Sequence, residues 1–176
     1  PFYFVFITSD RFQKEIYMEQ FNVEMARKRA QMMASVRSFF KERNVLEVET
    51  PSLCSGIAPD CHIDPFTTDY QVTPGKSMGN RYLLSSPELP MKRLLANGFP
   101  DIFQLSRVYR NGEVGRLHNT EFTMLEWYRR GYDMQQLMEE TITFFQLFLK
   151  ASKVEKVTYQ QIFKKSTGID PLTTTC

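Results

Sequence analysis

From Met25 to Arg43 the apolar residues Met25, Ala26, Met32, Met33, Val36, Phe39 and Phe40 fall on one helical face, with arginine and lysine filling the other. The spacing predicts an amphipathic helix of about five turns, ended by Asn44. VLEVETP then alternates, with Val45, Glu47 and Glu49 on one side and Leu46 and Val48 on the other, until Pro51 stops the ladder. Residues 52–80 hold Gly56, Pro59, Pro65, Pro74, Gly75 and Gly79, so loops with short strand pieces are expected there. RYLLSSPELPMKRLLANG reads as a strand and then a helix, with Ser86 as N-cap, Pro87 at the first helical position and Gly98 as the stop. Pro90 sits where the first intrahelical N–H should donate, so that turn is expected to be distorted or to start later.

IFQLSRVYR and TEFTMLEWYR are two strand-like runs around a loop containing Gly112 and Gly115, and an antiparallel pair is the natural arrangement. Side chains alternate along a strand, so Gln104, Ser106, Val108 and Arg110 share one face, as do Phe122, Met124, Glu126 and Tyr128 on the partner. If these even-numbered faces coincide, Arg110, Glu126 and Tyr128 project from one sheet surface. Asp133 is expected to cap a helix to about Ser152, with Met134, Leu137, Met138, Ile142, Phe145, Phe148 and Leu149 on its buried side. Thr158 and Gln161 form a capping box for a short helix closed by Gly168.

Composition changes this picture little. A chain of 176 residues with 42% hydrophobic and 24% charged residues suits one globular domain with a real core. Its net charge of +2 is too mild to argue for non-specific nucleic-acid binding. Cys54, Cys61 and Cys176 are odd in number and lack C-x-x-C spacing, which indicates neither a disulfide framework nor a zinc site and fits a reducing cytoplasm. PFYFVFITSD is too short to span a bilayer and is expected to be an edge strand or leader within residues 1–24. PGKS fails as a phosphate loop, because the earlier glycine it needs is Gln71, and Lys76 reads as a solvated turn lysine.

The chemistry gathers in VYRNGEVGRLHNTEFTMLEWYRR. An arginine fixed on a strand presents a planar fork suited to phosphate or carboxylate, and a carboxylate beside a phenol can hold an ammonium group. Surface charges are more often merely solvated; the blocks around the hairpin shift the balance.

The order of a long helix, VLEVETP, YLLSSPE, FQLSRVYRN and HNTEFTMLEWY resembles the catalytic domain of class II aminoacyl-tRNA synthetases, in their lysyl branch. MARKRAQMMASVRSFFKERNVLEVETP, APDCHIDPF, YLLSSPE with MKRLLANG, and GRLHNTEFTMLEWYRRGYDM resemble more narrowly the GenX, or EpmA, family. Its members are lysyl-tRNA-synthetase paralogues that use ATP to attach (R)-β-lysine to a lysine of elongation factor P. The resemblance implies an α+β fold, an antiparallel sheet flanked by helices, with residues 25–176 as part of a class II catalytic domain. The long helix and VLEVETP match motif 1, which builds a homodimer interface ending at Pro51. Arg110 matches the motif 2 arginine on the α-phosphate of ATP. Asn111, Glu113, His118 and Asn119 match further ATP-binding positions around that loop. Ser86, Glu88, Glu126 and Tyr128 match the side that receives lysine or (R)-β-lysine. Adenylate formation needs positioning and charge neutralisation rather than a protein nucleophile, and the resemblance supplies Mg²⁺ for it.

The chain departs from the family at several places. Arg110-Asn111-Gly112-Glu113 stands where Arg-Asn-Glu is usual; a one-residue displacement on an extended segment turns a side chain over, so Glu113 reaches the adenine side only if the loop rearranges. Thr120 replaces a proline, and Leu89 and Pro90 replace an aromatic and a non-proline residue. Nothing after residue 130 resembles the third motif or the acidic Mg²⁺ ligands, which are expected beyond this chain. The chain therefore reads as a fragment, inactive by itself. Too few residues precede the match for an anticodon-binding barrel, so tRNA is not the expected partner. A lysyl-tRNA synthetase catalytic fragment and an inactive dimerising or nucleotide-binding paralogue are the alternatives.

Overall fold

The computed structural model describes residues 22–57, 60–149 and 154–174. The expected leader or edge strand at PFYFVFITSD lies outside the described residues, as does Cys176. The chain divides into two compact units, one running to Leu137 and the other from Met138 onward.

Asn22 opens the first unit's long helix: its side chain accepts from the N–H groups of Glu24 and Met25 at 2.9 and 3.4 Å, and α1 spans Val23–Lys41. Both ends fall two residues before the apolar pattern predicts, because a polar cap sets the start and periodicity does not register it. Asn44 leaves the helix at φ 55, a left-handed conformation that asparagine tolerates. VLEVETP forms only a two-residue strand, β1 (Leu46–Glu47). Pairing nevertheless continues past it, since the Val48 N–H donates to the Phe103 carbonyl at 2.8 Å.

Residues 52–80 correct the expectation of loops with short strand pieces. They hold β2 (Leu53–Cys54), β3 (Thr67–Thr73) and the start of β4 (Lys76–Leu83), joined as an antiparallel sheet in the order β2-β4-β3. Pro74 and Gly75 make the hairpin turn, with Gly75 at φ 79, and Lys76 opens the returning strand. Every residue of β3 is exposed. With neither face buried there is no apolar alternation to read.

Helix α2 spans Glu88–Ala96, and its N-cap is Pro87 rather than Ser86. The shift of one residue resolves Pro90. It becomes the third helical residue, inside the turn whose N–H groups have no intrahelical acceptor, and the first bond runs from Met91 N–H to the Pro87 carbonyl at 3.0 Å.

Strands β5 (Ile102–Tyr109) and β6 (Glu121–Tyr128) pair antiparallel, and β1 adds to β5 in parallel, giving the order β1-β5-β6. The odd-numbered face packs on α1. Phe40 stacks on Phe103 with ring centroids 4.5 Å apart and meets Trp127 at 5.5 Å, while the Arg29 guanidinium donates to the Thr123 hydroxyl at 2.7 Å. Phe40, Phe103 and Trp127 are all buried. At the strand ends, Asp101 takes the Arg129 guanidinium at 3.0 Å and the Arg130 N–H at 2.7 Å.

Asp133 caps α3 (Met134–Phe148) by accepting from Gln136 N–H at 2.8 Å, and Gln136 accepts in return from Asp133 N–H at 2.9 Å. The helix ends short of the expected Ser152, which lies outside the described residues. Its fully buried residues are Glu140 and Phe144, which the expectation did not name; of those it did name, Leu137, Met138, Ile142, Phe145 and Phe148 are half-buried and Met134 and Leu149 are exposed. Phe144 lies seven residues after Leu137 and four before Phe148, so the buried stripe runs along the edge of the expected apolar side. In the second unit, α4 (Tyr159–Thr167) carries the expected Thr158–Gln161 capping box and ends at Gly168, φ 75. Gln160 holds both carboxylate oxygens of Asp170, at 2.9 and 3.0 Å.

Candidate active site

The register decides the geometry of the site. Gln104 lies opposite Glu126, Ile102 opposite Tyr128, and Val108 opposite Phe122, so the even-numbered faces coincide. Because the odd face is covered by α1, these residues point to the other side of the sheet, where the Ser86 turn lies. The Ser86 hydroxyl donates to Glu126 Oε2 at 3.0 Å and accepts from the Glu88 N–H at 3.1 Å. The Tyr128 hydroxyl donates to Glu126 Oε1. One serine before a helix thus ties the start of α2 to the middle of β6.

Glu126 is 3% exposed. Burial raises its pKa above the ordinary carboxylate value; the Tyr128 and Ser86 bonds pull it back, nearby Glu88 raises it further, and Lys92 lowers it. Burial likewise pushes the Tyr128 phenol up, reinforced by its bond to Glu126, so Tyr128 stays a donor. Glu88, the first residue of α2, forms an ion pair with Lys92. Ser86, Glu88, Glu126 and Tyr128, drawn from a turn, a helix and a strand, form one cluster. A buried carboxylate with neutral donors on both oxygens has its remaining lone pairs available to a cationic group.

A second cluster lies at the far end of β5. The Arg110 N–H donates to the Thr120 carbonyl at 2.9 Å, and the Asn111 N–H to that of Asp64 at 2.8 Å. The Arg110 guanidinium lies 5.3 Å from the centre of the Phe122 ring, and its Nη1 is 3.6 Å from Glu113 Oε2. Gly112, at φ 76, explains that ion pair. Its left-handed turn breaks the extended geometry in which Glu113 would point away, and brings Glu113 onto Arg110. Gly115 and His118 close the loop with reciprocal backbone bonds of 3.1 and 3.3 Å. On the returning limb His118 is exposed and Asn119 half-buried.

Two buried polar residues of this face, Gln104 and Thr50, were not among the expected site residues. The Thr50 hydroxyl donates to Gln104 Oε1 at 3.0 Å. Gln104 was legible as a polar residue alternating with Ser106 and Arg110; Thr50 gave no signal beyond its place before Pro51. Among the described residues no group of three or more His, Cys, Asp or Glu could hold a metal ion.

A family model described as tRNA synthetases class II (D, K and N) matches residues 12–173. The chain belongs to this family. Its α+β fold fits part of a class II synthetase-type catalytic domain, the arrangement that the motifs imply. Among curated proteins, it is 52% identical over 146 residues to elongation factor P–(R)-β-lysine ligases of Salmonella paratyphi B, Salmonella heidelberg and Salmonella enteritidis. The match takes in 82% of this chain and 45% of each relative. This class II chain therefore spans less than half the length of the relatives it matches. Among the described residues no helix is long and apolar enough to cross a membrane.

Proposed function

We propose that the protein is an ATP-dependent ligase that activates a lysine-type amino acid, (R)-β-lysine, as its adenylate and passes it to a lysine of elongation factor P. The observation that carries this reading is the buried Glu126 carboxylate, held by Ser86 and Tyr128 on the sheet face that also leads to Arg110. The similar Salmonella proteins are named for that activity. Class II synthetase-type ligases use ATP and Mg²⁺ in general.

In this reading Glu126, Tyr128, Ser86 and Glu88 receive the amino groups of the substrate. Arg110 neutralises the α-phosphate, with Asn111, Glu113, His118 and Asn119 around the nucleotide. Gln104, across from Glu126, stands six residues before Arg110, which is about 20 Å of strand at ~3.3 Å per residue. The Arg110–Glu113 ion pair keeps the guanidinium in place before the nucleotide arrives. Mg²⁺, when bound, supplies further charge neutralisation, through ligands outside the described residues. A homodimer on α1 and β1 belongs to the same reading, with Leu46, 45% exposed on β1, as apolar surface for a partner to cover.

The test is ATP–pyrophosphate exchange by the complete protein in the presence of (R)-β-lysine. Arg110→Ala is expected to reduce exchange by at least about a hundredfold, the scale for losing one preorganised charge at a reacting centre, with the oligomeric state unchanged. Unchanged exchange would overturn the role given to Arg110.

A further inference from the structure

Glu88 opens α2, Lys92 follows one turn later, and the two side chains form an ion pair. Glu24 and Lys28 repeat this spacing on α1, but there the side chains are 71% and 59% exposed, as in an ordinary solvated pair. On α2 they are 21% and 33% exposed, and the pair borders the cluster around Glu126. The link is short: the Ser86 hydroxyl accepts from the Glu88 N–H at 3.1 Å and donates to Glu126 Oε2 at 3.0 Å. The Glu88 charge acts on both Glu126 and Tyr128, and the Lys92 charge acts on Glu126. Two carboxylates in one cluster disfavour each other's ionisation. Among the described residues the hydrogen-bond partners of Glu126 are the Ser86 and Tyr128 hydroxyls, both neutral, so the cation that offsets the repulsion is Lys92.

We infer that Lys92 is a positioning residue of the amino-acid site: from the second turn of α2 it holds Glu88 and supplies the positive charge that balances two neighbouring carboxylates. The inference rests on the function proposed above and adds a residue to the side that receives the diamino acid. Among the described residues the charged and titratable groups acting on Glu126 are Tyr128 on β6 and Glu88 and Lys92 on α2. With Lys92 in place the cluster carries two carboxylates and one ammonium, which leaves a single negative charge for an amino group of the substrate. Without it Glu88 is unbalanced, and Glu126 takes up its proton at higher pH. A protonated Glu126 offers an ammonium group no charge, so the loss of Lys92 is felt first at the acidic end of the pH range.

The test uses the complete protein, measuring ATP–pyrophosphate exchange dependent on (R)-β-lysine from pH 5 to 8 for the parent, Lys92→Met, Lys92→Arg and Glu126→Gln. Lys92→Met is expected to move the acidic limb of kcat/KM for the diamino acid up by about one pH unit. At pH 6 the loss should be about fivefold to tenfold and enter through KM, with kcat within about twofold; at pH 8 the variant should lie within about twofold of the parent. Lys92→Arg, which keeps the charge, should restore the parent's limb. If the parent is active and depends on Glu126, yet Lys92→Met lowers only the melting temperature and leaves KM and the acidic limb alone, Lys92 merely staples the helix and the inference falls. A limb moved to lower pH would overturn it equally. If the parent activates no diamino acid, the underlying function falls and takes the inference with it.

Discussion

At the scale of single residues the site turns on Glu126, a carboxylate buried beside two hydroxyls. Its pKa is raised chiefly by burial, so the folded chain holds this proton more tightly than the unfolded one. The stability tied to that proton is fully present below the ordinary value of 4.5 and is lost as pH rises through the folded value. Glu126→Gln stays neutral at every pH and can still take part in hydrogen bonds with Ser86 and Tyr128. It is expected to melt above the parent at pH 7, because the parent must ionise a buried carboxylate there. The difference should vanish below pH 4.5, and thermal melts across that range check it. The same substitution removes the charge proposed to receive an ammonium group, so in that reading it should abolish amino-acid activation while stabilising the fold.

At the scale of elements, the long helix and the β5–β6 pair were legible because both bury one face and expose the other. Val36, Phe39 and Phe40 fall at helical spacing; Phe103 and Trp127 alternate with Gln104 and Glu126; and the register gathers Glu126 and Tyr128 as the alternation predicts. What was not legible has physical reasons. The β3–β4 hairpin exposes both faces over most of its length and so carries no period, and the fully buried stripe of α3 runs along the edge of its apolar side, through Glu140 and Phe144. Caps set by Asn22 and Pro87 moved helix ends by one or two residues. The motif 2 loop is the most informative case. Gly112 looked like the loss of a glutamate, yet its left-handed turn is what lets Glu113 reach Arg110. A Cβ at Gly112 would meet nothing within 4 Å, so Gly112→Ala tests the conformation alone. It is expected to cost about 1 kcal/mol in stability and to raise KM for ATP as the ion pair is lost. An unchanged melting temperature and KM would show that the turn is not needed.

At the scale of the whole molecule, both clusters lie in the unit that runs to Leu137, beside the sheet face opposite the one on which α1 packs. That division of labour, an aromatic face for stability and a polar face for chemistry, follows from strand alternation. Family membership rests on a match over residues 12–173, while the relatives named as ligases are more than twice as long as the matched segment. The activity therefore belongs to the complete protein. The most direct measurement of the central claim is to incubate that protein with ATP, Mg²⁺, (R)-β-lysine and elongation factor P, and to weigh the factor by mass spectrometry. The account predicts elongation factor P carrying one added β-lysyl group, dependent on ATP and lost with Glu126→Gln. An unmodified factor, with tRNA(Lys) charged by lysine in a parallel reaction, would contradict it.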